Sequence, residues 1–78
     1  MPTSSDIIQA IAEHLVLPPE DVDAKARLRE ELNLGPIELN DLLDHLKKRF
    51  NVDFDPQDVE NLTKVEDLVV LVEDNLIA

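Results

Sequence analysis

The sequence predicts an all-α fold: a small four-helix bundle with a long first loop and a short third helix. Apolar residues recur at helical spacing in three separate stretches. Prolines and capping residues stand where helices would begin. The three apolar stripes match in character, so they have to bury against one another. A chain of 78 residues holds one domain, spanning 1–78, and it buries only a little over ~60% of its unfolded surface.

The first helix starts at a cap supplied by Thr3, Ser4 or Ser5, with Asp6 in its first turn. Ile7, Ile8, Ile11 and Leu15 form its apolar face, and Pro18-Pro19 is expected to stop it. From Pro18 to about Leu34 the chain reads as a loop pinned by Leu28, Leu32 and Leu34, with a short helical turn expected within Ala24 to Glu31. A loop of this length in a small domain points to function or to a family trait. Gly35-Pro36 opens the second helix, where the missing proline N–H costs nothing. Leu39, Leu42, Leu43, Leu46 and Phe50 form its stripe. Asn51 ends it, and Lys47, Lys48 and Arg49 lie near its negative end. Asp55-Pro56 starts a short third helix carrying Val59. A capping box of Thr63 and Glu66 is expected to start the fourth. Val65, Leu68, Val69, Val72 and Leu76 supply its inward face.

Composition narrows the function. Only Phe50 and Phe54 are aromatic, so the core is aliphatic. There is no cysteine, hence no disulfide, no thiolate metal site and no thiol for thioester chemistry. The net charge of −11 argues against nucleic acid and anionic membranes, because phosphates attract basic patches. It suits basic surfaces on other proteins, reached by electrostatic steering, although simple solubility would account for the charge equally well. No apolar run approaches the ~20 residues of a membrane span. Met1-Pro2-Thr3 leads into the first helix without a signal-peptide pattern, so a cytoplasmic location is expected.

The stretch Leu32-Asn33-Leu34-Gly35-Pro36-Ile37-Glu38-Leu39 resembles the acyl carrier protein signature, commonly written L-G-x-D-S-[LI]-[DE]. Leu32, Asn33 and Leu34 fall on its L-G-x, and Ile37 and Glu38 follow the attachment position. Leu42, Leu46 and Phe50 fall on core positions of that family's second helix, and the register continues through Asp55-Pro56 and Thr63. The resemblance implies a carrier of acyl or aminoacyl thioesters in fatty acid, lipid or secondary-metabolite synthesis. In such carriers a serine hydroxyl holds the cofactor 4'-phosphopantetheine, and the second helix docks on basic partner enzymes. The family's Asp-Ser pair, however, is Gly35-Pro36 here, and proline has no heteroatom to hold a phosphodiester. Ser4, Ser5 and Thr63 lack the surrounding motif. The expectation is therefore a monomeric docking module that carries no cofactor as it stands. The alternative is an inactive variant of a working carrier.

No catalytic residue emerges, since no nucleophile–base constellation and no Gly-rich phosphate loop is present. The resemblance offers Ile37, Glu38, Asp41 and Asp44 as partner-docking residues. For the acids the competing reading is a solvated helix face. For Ile37 it is half-buried packing over the first loop. Asp44 and Asn40 stand where the family often has apolar contacts, and Lys47, Lys48 and Arg49 where it usually has acids. His14 and His45 read as isolated. The run Asn51-Val52-Asp53-Phe54-Asp55-Pro56 begins like a calcium loop. It lacks the glycine at the sixth position and has Leu62 in place of the bidentate glutamate, so no specific metal site is expected.

Overall fold

A computed structural model describes residues 2–76 and is helical in architecture over them. Helix α1 is Ser4–Leu15, followed by a 3-10 turn at Pro19–Asp21. Helix α2 is Pro36–Phe50, α3 is Pro56–Glu60 and α4 is Val65–Asn75. Among the described residues the only β pairing is an isolated antiparallel bridge between Arg27 and Lys64. No helix there is long and apolar enough to cross a membrane.

Of the three cap candidates, Thr3 takes the role. Its hydroxyl accepts from the Asp6 N–H at 3.2 Å, and the Asp6 carboxylate accepts from the Thr3 N–H at 2.9 Å. This reciprocal pair satisfies two orphan donors of the first turn. Helix α1 then ends before the prolines reach it. Val16 adopts the left-handed conformation (φ 57°, ψ 46°), and the Leu17 N–H donates to the Ala12 carbonyl at 2.9 Å. That is a Schellman closure, so Pro18 follows a stop already made.

The 18–34 segment is tied down at several points. Leu28 and Leu34 are buried and Leu32 is partly buried, as the spacing predicts, and Val22 and Ala26 join them in the core. Two separate turns replace the single helical turn expected between Ala24 and Glu31. In the first, the Asp23 carboxylate accepts from the Lys25 N–H at 2.9 Å; in the second, the Arg27 carbonyl accepts from Glu31 and Leu32. The break lies at Arg27 because the backbone there turns aside to meet α4. Leu28 N–H donates to the Thr63 carbonyl (2.8 Å), Val65 N–H to Ala26 (3.0 Å) and Glu66 N–H to Ala24 (2.9 Å).

Gly35 is the N-cap of α2, in an extended conformation that any residue can adopt, with Pro36 at the first helical position. Asn51 closes the helix in the left-handed region, φ 56°. Asp55 caps α3 by accepting from the Gln57 N–H at 2.9 Å. The start of α4 departs from expectation. Lys64, extended and bridged to Arg27, is the cap, so the third helical position falls on Asp67 rather than Glu66. Asp67 accepts from the Lys64 N–H (3.0 Å), the Thr63 N–H (3.2 Å) and the Thr63 hydroxyl (2.7 Å). Glu66 instead pairs with Lys25 at 2.9 Å.

The largest fully buried side chains are Ile7 and Ile11 from α1, Leu42 and Leu46 from α2, and Val65, Leu68 and Val72 from α4. Leu15, Leu39, Phe50 and Leu76 border this core, half-covered. No polar or charged residue among those described is buried. Hydrophobic burial among aliphatic side chains is therefore the dominant stabilising term.

Candidate functional site

The candidate site is the amino-terminal half of α2 and the surface around it. Gly35 is half-exposed and Pro36 exposed, so the pyrrolidine ring stands at the surface where the helix opens. A cleft of 710 Å³ lies beside it, with Leu34, Leu39, Val59 and Leu62 on its apolar side and Arg29 and Lys64 among its polar lining. The Glu38 side chain folds back toward the helix start: its Oε1 lies 2.6 Å from where a Cβ on Gly35 would stand. Two other hydroxyls are engaged elsewhere. Ser4 donates to Glu73 at 3.0 Å, joining α1 to α4, and Thr63 donates to Asp67. At Pro36 the side chain is a hydrocarbon ring.

Further along α2, Ile37 is 79% exposed. It does not pack over the first loop. Glu38, Asp41 and Asp44 are exposed as well, so the four candidate docking residues share the accessible side of α2. The basic residues that follow are partly neutralised. Lys47 reaches Asp53 at 4.0 Å and Arg49 reaches Glu13 at 3.8 Å, while Lys48 is exposed.

Sequence reasoning missed one constellation. His14 on α1 and His45 on α2 stack with ring centroids 4.8 Å apart and planes inclined by 26°. His14 Nε2 lies 3.1 Å from Asp41 Oδ2. The contact is made between helices far apart in the chain, so no local spacing could have announced it. Among the described residues, no group of three or more His, Cys, Asp or Glu is arranged to hold a metal ion.

Two ionisable groups are displaced from their ordinary ranges, both near the stitch between the first loop and α4. Asp67 is held below the usual carboxylate value, first by the Thr63 hydroxyl and then by the Lys64 N–H, which favour its charged form. Lys25 is raised by its hydrogen bond to, and the charge of, Glu66. Neither group lies on the accessible side of α2.

The chain has relatives among known proteins. The family described as "phosphopantetheine attachment site" matches residues 5–72. An acyl carrier protein of Phytoplasma australiense is 36% identical over 62 residues, covering 80% of this chain and 82% of that protein. One from Campylobacter jejuni subsp. doylei is 30% identical over 76 residues, covering 97% of each. One from Helicobacter pylori is 29% identical over 73 residues, covering 94% of each.

Proposed function

Since the chain belongs to the phosphopantetheine-attachment family of acyl carrier proteins, we propose that it works as a single-domain docking module that is not itself loaded with 4'-phosphopantetheine. The observation that carries this reading is Pro36, exposed at the first position of α2 in the place where the family's signature has its serine. Loading needs an oxygen nucleophile there. Proline lacks one, yet it suits the helix start, so the chemistry is lost without harm to the fold.

The module presents Ile37, Glu38, Asp41 and Asp44 to basic surfaces of acyl-transferring or carrier-modifying enzymes. The net charge of −11 steers encounter, and the exposed Ile37 supplies an apolar contact once the surfaces meet. It acts in the cytoplasm as a binding protein rather than a catalyst, in the setting of acyl or lipid synthesis.

Intact-mass spectrometry tests the reading. Incubated with coenzyme A and a broad phosphopantetheinyl transferase, the protein gains no mass; a gain would overturn the proposal. The double change Gly35→Asp, Pro36→Ser restores loading. The nearest obstacle to a side chain at position 35 is the flexible end of Glu38, which can swing aside. Successful loading of that variant shows that the rest of the motif is intact, and it leaves a carrier whose attachment pair has been replaced as the alternative reading. Failure of a well-folded double variant indicates a dedicated non-carrier role.

A further inference from the structure

Helix α2 turns away from the core a face that carries both signs of charge. At 3.6 residues per turn, Ile37, Asp41, Asp44 and Lys48 fall within an arc of about 60°. That arc lies opposite the buried Leu42, Leu43 and Leu46, and all four residues on it are exposed. They form a straight strip about 16 Å long, with steps of about 6, 4.5 and 6 Å between successive residues. In order, the strip is apolar, acidic, acidic and basic.

The basic end is the unusual part. The two bases beside it on α2 are held within the molecule, Lys47 by Asp53 at 4.0 Å and Arg49 by Glu13 at 3.8 Å. Lys48 pairs with no carboxylate among the described residues. This holds although Asp44 stands one turn before it and acids outnumber bases 18 to 7 in the chain. Asp41, for its part, keeps a side chain 73% exposed despite its contact with His14.

We propose that α2 selects a partner protein whose contact strip is itself polarised, with an apolar group to meet Ile37, basic groups to meet Asp41 and Asp44, and an acidic group to meet Lys48. This rests on the reading of α2 as the docking face and names the kind of surface that fits it. Asp44 and Lys48 are only about 6 Å apart along the helix, inside the ~10 Å reach of charge at 0.1 M salt. A surface that covers the acids therefore also covers the base. A uniformly basic surface sets like charge against Lys48, and such juxtaposition suppresses a wrong partner. An acid at that end turns the repulsion into an ion pair and fixes the direction in which the partner lies along α2. Lys48 thus works against the attraction of the net charge and decides which basic surfaces can close on the strip.

The test uses the full chain and two synthetic helical peptides. The first carries glutamate, lysine, lysine and leucine at steps of four, three and four residues. An antiparallel pairing, the one that helix dipoles favour, sets each opposite its counterpart on α2. The second peptide has lysine in place of the glutamate and is the more cationic. Binding is followed through the amide chemical shifts of the protein at about 0.1 M salt. The unaltered protein binds the first peptide about three-fold more tightly, the size of one exposed ion pair, against the pull of net charge. Lys48→Glu reverses the order, and its melting temperature stays near that of the unaltered protein because the side chain is exposed. If α2 amides shift with both peptides but the unaltered protein prefers the all-lysine one, or if Lys48→Glu leaves the preference unchanged, the polarised partner is overturned and the docking face stands. If neither peptide moves the α2 amides, both fall.

Discussion

At Val16 a β-branched, 87% exposed side chain occupies the left-handed conformation that ends α1. Its Cβ is crowded there, and little packing offsets the strain. Val16→Gly should therefore stabilise the protein by about 0.5–1 kcal/mol in urea unfolding, after allowing for the entropy glycine adds to the unfolded chain. Asp67 shows the opposite case. Asp67→Ala removes the acceptor of three hydrogen bonds at the start of α4 and should cost about 1 kcal/mol. Because its native carboxyl is held below the ordinary value of 3.8, its contribution is fully present above that value. It is lost as pH falls through the lower native value, so the gap between wild type and Asp67→Ala should close in strong acid. The capping signal itself was legible, since Thr63 was recognised at the boundary. The partner was misread as Glu66 because the cap is set by the Arg27–Lys64 bridge, a pairing between distant segments that no local window contains.

At the scale of elements, α2 carries both the core stripe and the proposed docking face. The stripe was readable from spacing alone: Leu42, Leu43 and Leu46 are buried, with Leu39 and Phe50 at the border. The exposed side was readable as charge, but whether Ile37 faced solvent or the first loop was decided only by three-dimensional packing. Reversing Glu38 and Asp41 to Lys should slow association with a basic partner about ten-fold at low salt, read by stopped-flow mixing. Asp41 also touches His14, so Glu38→Lys alone is the cleaner reversal and should leave the unfolding midpoint nearly unchanged. The first loop was less legible. Leu28 and Leu34 stood out as large apolar residues in a polar stretch, whereas Val22 and Ala26 are small and follow no helical or strand period. Their burial depends on where the stitch to α4 draws the backbone.

Over the whole molecule, 18 acids against 7 bases leave a net charge of −11 on a body with a radius of gyration of 11.3 Å. Repulsion of this kind weakens the compact state, and salt shortens its reach to ~10 Å at 0.1 M. The melting temperature should rise with moderate sodium chloride and rise further with magnesium at matched ionic strength. A fall on adding salt would count against the account. The helical class was legible at this scale because three stripes and four start signals agreed independently. What no stripe records is the order in which the parts assemble. The three backbone bonds from Ala24, Ala26 and Leu28 to the start of α4 close a ring of chain that contains all of α2 and α3. Such a closure loses chain entropy before it gains any bond, so it belongs late in folding. The first loop should remain unformed in the transition state and settle only when α4 docks. Amide protons of Leu28, Val65 and Glu66 would then become protected together in pulse-labelled refolding, after those in the middle of α2.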